Sequence, residues 1–280
     1  MVFNVMHNNK GTLTLIGGAE DRNSNSGVLR NLVDKTKARY VAVVPTASMY
    51  GYELGDEYKD TFRRLGVEKI EILDIKERRD TENERFLEIA KEADLIFFTG
   101  GDQVKLAHVF LHTELLKIIK NRHFLSGLHL AGTSAGAMVM SDPLIYEGDG
   151  KDFQKGAVFF EPGFGITAST TVDTHFMERG RIPRICAFLA SGYSKRGIGV
   201  GEDTAAFITP DDKLEVFGSG IVVMFNADKM RYSNFHNIKE DELIDMDNVA
   251  MSFLVHGSRF DMSKWAQIKP SKRKKIIAAS

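Results

Sequence analysis

The sequence predicts an α/β fold with a three-layer, doubly wound, mostly parallel sheet. Short runs of β-branched and aromatic residues recur, separated by longer amphipathic stretches. The runs are nearly continuous in apolar character, as parallel strands covered by helices on both faces require. Several of them end in small or polar residues, which places loops on the rim where ligands gather in such sheets.

The elements follow in order. Strands are expected at residues 12–16, 40–44, 70–73, 95–99 and 128–131, and helices at 27–37, 57–65, 83–92 and 104–121. This alternation implies right-handed βαβ crossovers. Three strands close on polar turns: Gly17-Gly18-Ala19-Glu20-Asp21, Pro45-Thr46-Ala47-Ser48 and Gly100-Gly101-Asp102-Gln103. After Gly136 the pattern changes. Residues 158–168 are glycine-interrupted, 178–191 look helical, and a run of short strands begins at 198–209. Segments 214–216 and 221–225 are expected to extend the sheet antiparallel at one edge.

Composition narrows the function. A chain of 280 residues, 43% hydrophobic, suits one large α/β domain over its whole length, with a loose basic tail from about Lys269. Lys plus Arg number 37 against 38 for Asp plus Glu, so nothing calls for a nucleic-acid or membrane partner. No apolar run approaches the roughly 18 residues of a membrane span, and the polar start has no secretory h-region. The single cysteine, Cys186, cannot form an internal disulfide and suits a reducing compartment. A cytoplasmic protein is expected.

Gly132-Thr133-Ser134-Ala135-Gly136 lies between a buried strand and a helix and matches G-x-S-x-G. Its glycines allow tight packing around a serine in a strained conformation. Ser134 then stands at a helix N-terminus, where the dipole favours developing negative charge. The amide of Ala135 is placed to donate to an oxyanion, and Gly100-Gly101 offers a second amide. A glycine-flanked helix cap would present the same residues, with Ser134 merely capping.

A serine nucleophile needs a base, and eight histidines are available. His7 is near the N-terminus, His236 and His256 lie in the polar C-terminal third, and His123 and His129 precede the turn. His108 and His112 share a helix face at i, i+4, but no glutamate completes H-E-x-x-H, so a solvated face is expected rather than a metal pair. His175 ends the extended segment Thr171-Val172-Asp173-Thr174 and precedes Arg179, Arg181 and Arg184, a setting suited to carboxylate recognition. A helix start with solvated arginines fits the same residues. For the orienting acid, Glu202 and Asp203 follow an apolar run and point to opposite faces. Periodicity does not choose between them, and a turn with two exposed acids is the bland alternative.

Five segments together resemble the cyanophycinase branch of the serine peptidase family that also contains aspartyl dipeptidase. They are Leu15-Ile16-Gly17-Gly18-Ala19-Glu20-Asp21, Phe98-Thr99-Gly100-Gly101-Asp102-Gln103, residues 132–137, Asp173-Thr174-His175-Phe176 with Arg179-Gly180-Arg181, and Gly201-Glu202-Asp203-Thr204-Ala205. The resemblance implies a flavodoxin-like sheet related to class I glutamine amidotransferases. It also implies a Ser134–His175–Glu202 triad, an oxyanion hole from Ala135 and Gly101, and a homodimer without cofactor or metal. The substrate implied is cyanophycin, a poly-aspartate carrying arginine on each side chain, cleaved to β-Asp-Arg. The matching substrate positions are Gln103, Asp173, Arg179, Arg181 and Arg184. Thr174 departs from the pattern, standing where a glutamine often precedes the histidine.

Two other functions fit less well. An aspartyl dipeptidase-like enzyme acting on short acidic peptides tends to have aspartate as its third triad member and lacks the arginine-rich stretch. A non-catalytic binding protein on the same fold would keep the pocket without an aligned triad. A glutamine amidotransferase would need a cysteine in the turn, and Cys186 lies elsewhere.

Overall fold

The computed structural model describes residues 9–148, 153–167 and 169–269. The chain starts with β1 (Leu13–Ile16), α1 (Val28–Thr36), β2 (Tyr40–Val44), α2 (Gly51–Arg64) and β3 (Lys69–Ile72). Next come α3 (Glu84–Glu92), β4 (Leu95–Phe98), α4 (Gln103–Phe110), α5 (Glu114–Leu125), β5 (His129–Thr133) and α6 (Ala135–Met138). These are followed by β6 (Leu144–Glu147), β7 (Phe159–Glu161), β8 (Thr170–Thr174), α7 (Ile182–Ala190) and β9 (Arg196–Val200). Then come β10 (Thr204–Ile208), β11 (Lys213–Gly218), β12 (Val222–Asn226), a 3-10 turn at Phe235–Asn237, β13 (Ala250–Leu254), β14 (Arg259–Asp261) and β15 (Ala266–Ile268).

A nine-stranded sheet runs in the order β15-β14-β11-β10-β1-β5-β4-β2-β3. The block from β1 to β3 is parallel, and β10 opens the antiparallel extension on β1. Alternate side chains of β2 feed two cores, as a strand's period of two demands. Val41 and Val43 pack with Leu29 and Leu32 of α1 and with Tyr58 and Phe62 of α2. Ala42 and Val44 pack on the other face with Ile89 of α3, Leu106 of α4 and Ile119 of α5. The α/β, doubly wound expectation holds.

The extension departs from expectation. β11 joins the main sheet, but β12 does not. It pairs with β9 and β13 in a separate four-stranded sheet, β13-β12-β9-β8. The turn at Gly218, with φ 119°, carries the chain away from β11. Val172, Ile198, Val200, Val222 and Met224 turn one face of this sheet into the main core. Val223 and Phe225 pack on Ile185 and Phe188 of α7 on its other face. The chain thus crosses from the small sheet to the large one between β9 and β10, at Gly201-Glu202-Asp203.

The helix expected at 104–121 is two helices. Thr113 caps α5 by accepting the Leu116 amide, and His112, at φ 63°, lies in the break. Local capping overrides the continuous apolar pattern there. The helix expected at 178–191 starts only at Ile182, with Pro183 in its first turn, a position proline favours. The expectations for His7 and for the tail beyond Lys269 fall outside the described residues. Among the described residues, no helix is long and apolar enough to cross a membrane.

Candidate active site

The serine turn is built by close approach. A Cβ on Gly132 would lie 2.1 Å from the Gly136 carbonyl oxygen, and one on Gly136 would lie 2.2 Å from that of Phe98. Ser134 takes φ 51° and ψ −117°, a conformation costing about 1–3 kcal/mol. Its side chain makes no capping hydrogen bond, so the helix-cap account is removed. α6 is only four residues long, too short for the macrodipole invoked from sequence. What it offers is the amide of Ala135, an N-terminal donor without an intrahelical acceptor. Gly100 packs against the serine, since a Cβ on it would meet Ser134 Cβ at 3.3 Å, and Gly101 follows at φ 140°.

Ser134 Oγ lies 2.9 Å from His175 Nε2, and His175 Nδ1 lies 2.6 Å from Glu202 Oε1. An ionised carboxylate only accepts hydrogen bonds, so the Nδ1 proton is donated to Glu202 and Nε2 is left to accept the Ser134 hydroxyl proton. Asp203 turns away: its carboxylate accepts from the Ser219 hydroxyl and the Asp21 amide. Three different parts of the fold meet here. Ser134 directly follows β5 of the large sheet, His175 directly follows β8 of the small sheet, and Glu202 sits at the crossing between them.

The end of β1 holds these parts in register. The carbonyls of Ile16, Gly17 and Gly18 accept the amides of Ser134, His175 and Asp203 at 3.0, 2.9 and 2.9 Å. A Cβ on Gly18 would overlap the His175 ring at 2.4 Å. The sequence marked this glycine pair only as a rim turn. Two adjacent glycines directly after a buried strand were the available signal for a close approach.

Directly before His175 lies a second charged cluster of a different kind. Asp173 is fully buried, and its Oδ1 accepts from the Thr174 amide, from Arg181 Nη1 at 2.9 Å and from Arg184 Nη2 at 3.2 Å. Arg184 Nε reaches Asp173 Oδ2 at 3.0 Å. Arg184 also donates to the Gly148 carbonyl, and Arg181 to that of Thr174. Burial pushes the Arg184 guanidinium down from its ordinary value, and Asp173 opposes that shift. Asp173, Thr174 and Arg184 are therefore closed to solvent and Arg181 is largely covered. Arg179 is exposed. Gln103 starts α4 and donates to the Tyr146 carbonyl at 3.0 Å.

Ser134 and His175 open into a cavity of about 180 Å³, lined also by Glu20, Arg22, Leu54 and Tyr58. Glu20 and Tyr58 were not singled out from the sequence. Glu20 sat within a recognised motif, but nothing local marked it as buried. Elsewhere, His108 pairs with Glu161 at 3.4 Å. Among the described residues, no three His, Cys, Asp or Glu side chains are grouped to hold a metal ion. Cys186 lies on α7, where burial pushes its thiol up to about 11, a value that makes it unreactive at neutral pH.

Residues 13–216 match the model of peptidase family S51. The chain is 33% identical over 256 residues to a cyanophycinase of Trichormus variabilis, covering 90% of this chain and 86% of that protein. It is 32% identical to the cyanophycinase of Geminocystis herdmanii, covering 90% and 94%. Among solved structures, a peptidase from an acI-B1 Actinobacterium aligns with TM-score 0.65 at 23% identity, over 90% of this chain and 97% of that one. A putative peptidase E from Listeria monocytogenes EGD-e aligns with TM-score 0.52 at 19% identity, over 75% and 99%. The fold is the class I glutamine amidotransferase-like arrangement expected.

Proposed function

The chain belongs to peptidase family S51, and from that premise we propose that it hydrolyses cyanophycin to β-Asp-Arg with Ser134 as nucleophile. The observation that carries this reading is the continuous hydrogen-bonded line Ser134–His175–Glu202 opening into a cavity. His175 Nε2 takes the hydroxyl proton as Ser134 Oγ attacks an aspartyl carbonyl. The amides of Ala135 and Gly101 receive the oxyanion. The imidazolium, held by Glu202, returns its proton to the leaving amine. Water then cleaves the acyl-enzyme by the same route in reverse.

On this reading the charged residues divide by exposure. Arg179, which is exposed, and Gln103, which is partly exposed, contact the substrate. Asp173, Thr174, Arg181 and Arg184 are covered and hold the end of β8, and so the imidazole, in place. The relatives' names supply the substrate class.

Incubation of the purified protein with insoluble cyanophycin, followed by mass spectrometry of the soluble products, tests the reading. β-Asp-Arg is expected, with turnover falling by about 10⁴–10⁶ in Ser134→Ala. The variant should also resist a serine-reactive phosphonate. Turnover of Asp-X peptides with no product from the polymer would replace cyanophycin with short acidic peptides as substrate. An unlabelled Ser134 in the unsubstituted protein would remove the nucleophile assignment.

A further inference from the structure

The Gly17-Gly18 turn continues into Glu20, which plays no part in the chemistry above yet shares its cavity. Glu20 is 7% exposed and Tyr58 3%. Glu20 Oε2 accepts from the Thr133 hydroxyl at 2.6 Å and Oε1 from the Tyr58 hydroxyl at 2.5 Å. Burial and the adjacent Glu20 push the Tyr58 hydroxyl well above its ordinary value, so it remains a donor. Both partners are neutral. Among the described residues, no Lys, Arg or His forms an ion pair with Glu20 within 4.0 Å. Arg22 lines the same cavity, paired with Glu57 at 3.0 Å and over the Tyr58 ring at 5.4 Å, where its charge lowers the Tyr58 hydroxyl in part; it makes no ion pair with Glu20.

A buried acid without a direct ion pair is costly, and two hydroxyls fill only about half of a carboxylate's roughly four acceptor sites. Glu20 itself lines the space that Ser134 and His175 also line. A ligand there completes the acid's surroundings when it brings a cation with N–H donors. We propose that Glu20 is a specificity-determining residue that receives a cationic group of the substrate, a guanidinium or an ammonium. This rests on the reading of the cavity as the substrate site. It adds a counterpart to the exposed Arg179, which suits the substrate's carboxylates: the acid inside the cavity selects the positive end.

Calorimetric titration with three dipeptides tests the assignment. β-Asp-Arg carries both cations, β-Asp-citrulline lacks the guanidinium, and N-acetyl-β-Asp-Arg lacks the ammonium. The unsubstituted protein is expected to bind β-Asp-Arg at least about tenfold more tightly than one of the two neutralised forms. Which form loses affinity identifies the cation read. In Glu20→Gln the charged and neutralised forms should bind alike. A purely structural role for Glu20 would instead weaken all three ligands in parallel and preserve their ratio. Equal binding of all three by the unsubstituted protein, or no binding of any, overturns the proposal without need of a variant. Hydrolysis of cyanophycin is scored separately. Its absence with the charge preference intact removes the proposed activity and leaves the cation site, whereas hydrolysis without the preference removes the cation site alone.

Discussion

At the carboxyl end of β5 the imidazole of His175 is held between Ser134 Oγ and the Glu202 carboxylate, within reach of an open cavity. At the amino end, His129 begins the same strand and His123 lies in the last turn of α5, and neither is hydrogen-bonded to a carboxylate. His129 Nδ1 accepts the Thr12 amide at 3.1 Å, and His123 Nδ1 donates to the Leu128 carbonyl at 2.9 Å. Burial lowers both from the ordinary histidine value, His123 to about 4. A histidine's role is thus set by what the backbone places on each ring nitrogen. One end of the strand supplies an acid beside the serine hydroxyl; the other supplies the Thr12 amide and hydroxyl and a carbonyl, but no acid.

The sharpest way to break this contrast is to remove the acid while keeping its shape. Glu202→Gln no longer fixes the tautomer that leaves Nε2 free to accept. Turnover of cyanophycin is expected to fall about 10³–10⁴-fold in kcat, roughly 4–5.5 kcal/mol of barrier. Thermal unfolding should barely change, since the Glu202 side chain is 37% exposed. Unchanged kcat would place His175 in the same structural category as His129.

Both ends differ again from the Asp173 cluster, two residues before His175, where the charges are sealed. Asp173→Ala leaves Arg184 buried without its anion, a loss of about 3–5 kcal/mol. For a chain of this size that lowers the melting temperature by about 6–20 °C. Calorimetric melting of the variant checks it. A preserved melting temperature with weakened binding of β-Asp-Arg would make Asp173 a substrate contact instead.

How legible these regions were follows from where their information lies. The parallel block was readable because Val41 and Val43 face one helical layer while Ala42 and Val44 face the other, so the whole strand had to be apolar. β13 was not, because Ala250, Met251 and Phe253 are exposed and only Leu254 is fully buried. β12 was recognised as a strand but assigned to the wrong sheet, since strand patterning records burial and not the partner. At the site, G-x-S-x-G located Ser134 because its glycines are imposed by local contacts. Glu202 and Asp203 stayed equivalent because the crossing between two sheets is a tertiary feature that adjacent acids do not encode. Asp173, Arg181 and Arg184 looked like a recognition surface. Nothing short of the three-dimensional arrangement shows that the same carboxylate receives both guanidinium groups.

The smallest expected effect sharpens the amino-end half of the comparison. The folded value of His123 lies near 4, whereas an unfolded histidine titrates near 6.5. Between these values the unfolded chain binds a proton that the native state does not, so native stability must rise with pH across that window. The stabilisation is complete above about pH 6.5 and is lost as pH falls towards 4. From pH 7 to pH 5 this amounts to about 2 kcal/mol from His123 alone. Urea midpoints at the two pH values measure it. His123→Asn keeps a donor near the Nδ1 position and is neutral throughout, so it is expected to lose stability at both pH values through reduced packing. Its difference between the two should shrink by about 2 kcal/mol. An unaltered difference would mean that His123 is protonated in the native state, and the contrast with His175 would then rest on position alone.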